Sequence, residues 1–276
     1  KAPECPAQCS AIYYEDSPEG PLNGKNLDCG PTRMGPYIPH HIPNGEPIQG
    51  VRLMGTGSAA VLCDEEPEEI FPVNVDYILP ADIRTVADYV VFRSRYRQFC
   101  GPMNGVFVDE QGHSVAIEQS NCRMGWRFPT NGISAVTALA YMTPELQAFK
   151  LDRDRLSLEK RGWGEDCPDW IYWRGCDARY RRLLKLVEEE GRRGPTVEGM
   201  ARTLLDPDAS PPERISVANE KFHPDVESNF WTFYTWVEVV FGPARRAYRW
   251  EQDLQPTRPI FRRNPQLLLG EGVAMQ

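Results

Sequence analysis

The segment at residues 105–119, GVFVDEQGHSVAIEQ, places the strongest constraint on the fold. Apolar and polar residues alternate on both sides of its Asp-Glu-Gln-Gly turn. A period of two is typical of strands that bury one face, and a short turn joins two such strands antiparallel. An antiparallel sheet is therefore part of the fold that this sequence predicts.

The other predicted elements follow one another in an irregular order. A second hairpin begins directly after Cys9. Further strands are predicted at residues 51–54, 58–63, 133–141, 229–240 and 245–250. Helical spacing of apolar residues predicts helices at 82–98, 177–190 and 196–205. Strands, one helix, strands, two helices and strands do not form a βαβ alternation, and this order fits antiparallel sheets layered with helices.

Composition limits the class of protein. The 276 residues are enough for one large domain, and 41% hydrophobic with 25% charged residues is ordinary for a globular chain. No apolar run approaches the ~20 residues of a membrane-spanning helix. The formal charge of −8 argues against a general attraction to phosphate backbones or anionic lipids. We expect a soluble domain with neither nucleic acid nor membrane as a partner.

Cysteine content and the two ends of the sequence add three expectations. Eight cysteines are too sparse for a disulfide scaffold, so they leave the redox compartment open. The sequence starts at Lys1 without a signal-peptide pattern, which indicates a processed or trimmed chain and favours the cytoplasm. Residues 255–276 contain three prolines and few periodic apolar positions, which predicts a tail that wraps the surface or frays.

The string CSAIYYEDSPEGPLNGKNLD, at residues 9–28, carries the chemistry. A hairpin that starts at Cys9 brings Lys25, Asn26 and Asp28, at the end of its return strand, beside the sulfur. A nearby cation favours the thiolate, and a carboxylate can orient a free α-amine that acts as a base. The pattern predicts a site for acyl transfer.

This string resembles the start of the mature catalytic chain in choloylglycine hydrolases and penicillin acyltransferase-like enzymes, which are linear-amide hydrolases of the N-terminal-nucleophile superfamily. Their Cys-Thr or Cys-Ser start is followed by an end similar to Gly-Arg-Asn-Leu-Asp, and here Asp28 follows Cys9 by 19 residues. Segments 104–118, 176–190 and 229–250 resemble later parts of the same family, in the same order. The resemblance implies a four-layer αββα sandwich of two antiparallel sheets flanked by helices, an α+β fold.

The resemblance also implies roles for single residues. Cys9 is the nucleophile, its own α-amine is the general base, and Asp28 holds that amine. Lys25 stands where the family usually has arginine, so the charge is kept without the planar fork. Arg179 matches the late active-site arginine, with Arg182 as the competing alignment. The implied reaction cleaves or transfers the acyl group of a small linear amide through a thioester, without a metal or organic cofactor, in a homodimer or homotetramer.

Two positions depart from the family pattern. Ala138 falls where the family has an oxyanion-binding asparagine, and Gly55 falls where a second asparagine is expected. Losing one oxyanion donor typically lowers the rate by ~10²–10³. Backbone amides or one of Asn26, Asn121 and Asn131 would have to substitute, or this chain is slow or inactive on ordinary amides.

The α-amine of Cys9 exists only if the bond between Gln8 and Cys9 is cut. In relatives this cut is often autocatalytic, so we interpret residues 1–8 as a leader or a propeptide remnant. The expected organisation is a leader at 1–8, an N-terminal-nucleophile hydrolase domain at 9–254 and a C-terminal tail at 255–276.

Other readings of these residues stay open. Cys9 also fits an ordinary buried cysteine, and Asp28 also fits a turn cap. The Cys5–Cys9 spacing suggests a metal site only weakly, since no second cysteine pair is near. The aromatic residues 169–175 suit a substrate pocket or packing against a neighbour. The main rival hypothesis is a catalytically silent family member that binds a small amide or a protein partner, and the third is an unrelated α+β domain.

Overall fold

The structure, a computed structural model, describes residues 9–29, 50–58, 82–96, 103–119, 123–137, 140–148, 168–206, 209, 213, 215, 231–241, 246–253, 260–261 and 266–269. These residues form a mixed α+β fold with two antiparallel sheets and a few helices. No helix among them is long and apolar enough to cross a membrane.

The first sheet has seven strands and contains the hairpin that follows Cys9. Its strands are β1 (Ser10–Tyr14), β2 (Leu22–Cys29), β7 (Ile133–Thr137), β8 (Trp231–Val239), β9 (Arg246–Asp253), β10 (Ile260–Phe261) and β11 (Gln266–Leu269). The order is β10-β9-β8-β2-β1-β7, and β11 also pairs with β9. These pairings are antiparallel. Because β1 pairs with β2 on one side and with β7 on the other, it lies inside the sheet.

The second sheet has four strands, in the order β3-β4-β5-β6. They are β3 (Arg52–Ser58), β4 (Met103–Val108), β5 (Ser114–Gln119) and β6 (Met124–Arg127). The β4–β5 hairpin turns at Asp109, whose carboxylate accepts hydrogen bonds from the backbone N–H groups of Gln111 and His113 at 3.0 Å each. This turn confirms the hairpin that the alternating segment predicts.

Three helices are bounded by recognisable caps or loops. Helix α1 (Val86–Arg95) begins after Thr85, which forms a capping box with Asp88. Helix α2 (Pro168–Arg193) is followed by a short loop and then by α3 (Val197–Leu205), whose N-cap Thr196 accepts from the N–H of Gly199. Residues 144–148 are also helical. The caps satisfy backbone N–H groups that the first turns leave unpaired.

The buried apolar residues fall into three clusters. The helix-side cluster joins one face of the first sheet to α2 and α3 and includes Ile12, Leu22, Tyr180, Leu183, Met200 and Val237. The intersheet cluster joins the two sheets and includes Ala11, Tyr13, Met54, Val106 and Val136. The α1-side cluster joins the second sheet to α1 and includes Val86, Tyr89, Phe107 and Ile117.

Several element predictions need correction. One strand, β3, replaces the two predicted at 51–54 and 58–63, and residues 59–63 lie outside the described part of the chain. Helix α1 begins at Val86 rather than at residue 82, because the capping box fixes its start. Helix α2 begins at Pro168, so residues 169–175 are helical. The strand β6 was not predicted.

The C-terminal prediction also differs from the structure. Residues 255–276 were expected to wrap or fray, yet β10 and β11 lie within them and both pair with β9. The two strands are two and four residues long, too short for an alternation to stand out in the sequence.

Candidate functional site

Cys9 directly precedes β1 and is a buried cysteine, 5% exposed. Its strand is held on both sides, since Ser10 pairs with Asn26 of β2 and with Thr137 of β7. The hydroxyls of Ser10 and Thr137 lie 3.3 Å apart. Cys9 therefore lies next to an interior strand whose first residue is paired on both sides.

Lys25 lies on the face of β2 that meets the second sheet. It pairs with Ala11 on one side and with Trp236 of β8 on the other, and it is 9% exposed. Burial lowers the pKa of Lys25, while the negative charges of Glu238 and then of the Cys9 thiolate raise it. The structure thus brings together the predicted cation and the predicted nucleophile.

Gly55 of β3 lies against this pair. A Cβ atom placed on Gly55 would lie 2.6 Å from the Cβ of Ala11 and 3.5 Å from that of Lys25. Such a distance to Ala11 is shorter than real Cβ contacts, so the close approach of the two sheets requires glycine here. The position where the family resemblance expects an asparagine therefore has no room for one without local movement.

Asp28 lies at the same end of the β1–β2 ladder as Cys9, two residues beyond the Ser10–Asn26 pair. Its side chain is fully buried, and its Oδ1 accepts a hydrogen bond from Thr232 Oγ1 at 2.6 Å. The β2–β8 register shifts between Leu27 and Asp28, as at a β-bulge.

Asn26 has a structural environment. Its Nδ2 donates to the carbonyl oxygen of Leu204 at 2.8 Å, and its Oδ1 accepts from Thr235 Oγ1 at 2.7 Å. Leu204 belongs to α3, so Asn26 points toward the helices. Its neighbours Lys25 and Ala11 face the second sheet instead, because side chains alternate along a strand.

The two candidate arginines lie on α2 and differ in environment. Arg179 is 3% exposed. Arg182 forms a two-pronged ion pair with Asp206, with both nitrogen–oxygen distances at 2.6 Å. Asp206 ends α3, so Arg182 ties the two helices together.

Of the remaining candidates, the structure describes Asn131. Asn131 is exposed in the turn before β7, near the Tyr14 end of β1 and thus at the opposite end of that strand from Cys9. Asn121 and Ala138 lie outside the described ranges, as does the proposed leader at residues 1–8.

Two buried residues near Lys25 were missed by the sequence analysis. Asn23 is 1% exposed and Glu238 is 5% exposed, and Asn23 Nδ2 donates to Glu238 Oε1 at 2.7 Å. The signal available was Glu238 itself, a carboxylate inside the apolar run TWVEVV at residues 235–240. Its partner is 215 residues away along the chain and could not be read from spacing.

Lys25, Asn23 and Glu238 form a buried polar strip on β2 and β8, and Cys9 precedes β1 near the Lys25 end of this strip. Within the described ranges, no three His, Cys, Asp or Glu side chains converge as a metal site would require. A buried thiol near a buried cation can support nucleophilic chemistry.

Comparison with known sequences gives no further guide to this site. No protein-family model matches the chain, and no curated protein matches it at a significant level.

Proposed function

We propose that this chain is a cysteine amidohydrolase or acyltransferase with the four-layer αββα architecture of N-terminal-nucleophile hydrolases. The order of the three apolar clusters supports the architecture. The helix-side cluster lies between α2, α3 and the first sheet, the intersheet cluster follows, and the α1-side cluster comes last. This order of clusters fits four layers in the sequence helix, sheet, sheet, helix.

The observation that carries the activity is the electrostatic interaction between the Cys9 thiolate and the Lys25 ammonium group. Both are buried, Cys9 directly before an interior strand and Lys25 on the hairpin partner of that strand. Their charges favour each other, because the thiolate raises the pKa of Lys25 against the effect of burial. By the same reciprocity, the lysine charge favours the thiolate, which is the nucleophilic form of cysteine.

The proposed mechanism has two steps. The Cys9 thiolate attacks the carbonyl carbon of a small linear amide, the amine leaves with a proton, and a thioester remains. Water or an acceptor amine then attacks the thioester and regenerates the thiol. After cleavage of the Gln8–Cys9 bond, the α-amine of Cys9 acts as the base and Asp28 orients it.

A second candidate is a catalytically silent protein with the same architecture that binds a small amide or a partner. It is favoured by the environment of the expected oxyanion donors. Asn26 bonds to Leu204 and Thr235, Asn131 lies at the far end of β1, and residue 55 is glycine. Fewer donors would leave a tetrahedral oxyanion poorly stabilised.

The test is the intact mass of the purified protein before and after exposure to a thiol-reactive acyl donor. Wild type is compared with Cys9→Ala and with Cys176→Ala, which also removes one thiol but leaves Cys9. We expect wild type and Cys176→Ala to begin at Cys9 and to gain one acyl group. We expect Cys9→Ala to retain residues 1–8 and to gain none.

The opposite result selects the silent candidate. A folded wild-type protein that keeps residues 1–8 and remains unacylated contradicts the hydrolase proposal. Acylation of Cys9→Ala to the same extent as wild type would assign the nucleophile to another cysteine.

A further inference from the structure

The Asn23–Glu238 pair is a buried polar feature that the proposed mechanism does not use. Asn23 lies on β2 and Glu238 lies directly opposite on β8. Asn23 Nδ2 donates to Glu238 Oε1 at 2.7 Å and to the carbonyl oxygen of Met54 at 3.3 Å. Since both neighbours accept hydrogen bonds, the amide orientation is fixed and Glu238 is held as an acceptor.

Strand register places this pair next to Lys25. Lys25 is two residues from Asn23 on the same face of β2, so Glu238 is its diagonal cross-strand neighbour. Diagonal neighbours in an antiparallel pair are about 7–8 Å apart at the backbone, within reach of long side chains. Trp236, which pairs with Lys25, is 1% exposed.

Lys25 needs a negative charge in this setting. The side chain is 9% exposed, and burial disfavours its charged form. Glu238 is the largest influence that opposes burial, ahead of Cys9. The negative charge of Glu238, on the neighbouring strand, therefore favours the protonated form of Lys25.

We propose that Glu238, oriented by Asn23, is a positioning residue that keeps Lys25 protonated and thereby keeps the Cys9 thiol in its reactive form. The inference rests on the proposed role of Cys9 as a nucleophile. Glu238 and Cys9 lie on opposite sides of Lys25 along the strands, so the influence passes through the lysine. Asn23 acts one step further away, by fixing the carboxylate.

Other ionisable groups near Lys25 could also affect the pH dependence of Cys9 reactivity. On β1, burial raises the pKa of the Tyr13 hydroxyl well above its ordinary range. The negative charges of Glu15, Asp109 and Glu238 raise it further. Tyr13 donates to the carbonyl of Gly112 at 3.1 Å and stays neutral. Asp28 lies at the Cys9 end of β2. From β3, Met54 and Gly55 contribute no ionisable group.

The experiment measures the alkylation rate of Cys9 by iodoacetamide from pH 5 to 10, followed by mass spectrometry of the Cys9 peptide in the full chain. Glu238→Gln keeps the acceptor for Asn23 and removes the charge. We expect its rate at pH 7 to fall about tenfold, because a rise of one unit in the thiol pKa lowers the thiolate fraction by that factor. Glu238→Asp retains the charge and should stay near wild type.

A matched control separates a local effect from a change of net charge. Glu145→Gln also removes one negative charge, but Glu145 is 73% exposed and lies 3.8 Å from Arg123 in a surface ion pair. Its Cys9 alkylation profile should match wild type. Lys25→Met should lower the rate as Glu238→Gln does, and the double variant should show no further loss, since both act through one lysine.

Three results would overturn the inference. An unchanged profile in Glu238→Gln would do so, as would an equal loss in Glu238→Asp, or an additive loss in the double variant. If Glu238→Gln does not fold, carbon-13 NMR of the Glu238 carboxyl in wild type decides, because a protonated Glu238 at pH 7 contradicts the idea. Alkylation needs no turnover, so a failed acylation test leaves this result independent.

Discussion

Gly55 shows how a single absent side chain sets the spacing of the candidate site. The two sheets approach so closely at this point that an added Cβ would lie 2.6 Å from the Cβ of Ala11. Ala11 and Lys25 are cross-strand partners, so movement of Ala11 also moves the lysine. The glycine thus fixes how near the second sheet comes to Lys25.

Gly55→Ala should destabilise the protein by about 1–3 kcal/mol, the usual cost of forcing a methyl group into a packed core. Ala11→Gly removes the colliding Cβ, so we expect the double variant Ala11→Gly/Gly55→Ala to recover much of the loss. Urea unfolding followed by circular dichroism measures all three. Strictly additive effects of the two substitutions would show that the contact is not the cause.

At the residue scale, the sequence predicts the side chains that depend on local geometry and misses those that depend on distant pairing. The hairpin after Cys9 brings Lys25 and Asp28 to the Cys9 end of β1, because register follows from the turn. Asn26 was predicted beside the sulfur, but alternation turns it toward Leu204. Glu238 was missed because β8 pairs with β2 across more than 200 residues of sequence, a pairing that no local pattern indicates.

At the element scale, an ion pair adds to the apolar packing between α2 and α3. Arg182 of α2 donates two hydrogen bonds of 2.6 Å to Asp206, the residue that ends α3. Asp206 has a left-handed backbone with φ of 32°, which aspartate and asparagine tolerate better than most residues. Through Leu204, the same end of α3 also accepts the hydrogen bond from Asn26.

Asp206→Asn keeps the backbone preference and removes the charge. We expect a loss of about 1.5–3 kcal/mol in the free energy of unfolding, the usual range for hydrogen bonds to a charged group. Thermal unfolding with calorimetry measures it. Glu145→Gln, which breaks a largely exposed pair with Arg123, should cost under about 1 kcal/mol. Equal losses in the two variants would contradict a special role for the Arg182–Asp206 pair.

Element boundaries follow the strength of the local signal. Helix α3 was predicted at 196–205 and is found at Val197–Leu205, because Thr196 caps it and apolar residues repeat with helical spacing. The hairpin of β4 and β5 and the pair of β8 and β9 also agree with prediction. β6 is only four residues long, and both Trp126 within it and Phe128 after it are exposed, so it lacks a buried alternation.

At the scale of the whole molecule, the three apolar clusters share strands. On β1, Ile12 belongs to the helix-side cluster while Ala11 and Tyr13 belong to the intersheet cluster. On β4, Val106 belongs to the intersheet cluster while Phe107 belongs to the α1-side cluster. Because neighbouring residues of one strand serve two clusters, loss of either cluster removes support from the other.

Ile12→Ala and Ile117→Ala, both at fully buried positions, should each cost about 2–5 kcal/mol. Both should lower the midpoint of one shared transition, because the clusters unfold together. Tryptophan fluorescence and far-ultraviolet circular dichroism in urea would then coincide. Val91→Ala, at a side chain that is 50% exposed, should change stability by less than about 0.5 kcal/mol. Separate transitions for the two probes would instead indicate independent units.

The pairing of β2 with β8 has a consequence for a chain that is still being synthesised. The hairpin with Cys9 and Lys25 leaves the ribosome early, but Asn23 and Glu238 are 215 residues apart. At about 5–20 residues per second, roughly 10–40 s separate the two on a growing chain. On the proposal that Glu238 acts on Cys9 through Lys25, the thiol lacks that activation throughout this interval. We therefore expect Cys9 to become reactive only after Glu238 has been made and β8 has paired with β2.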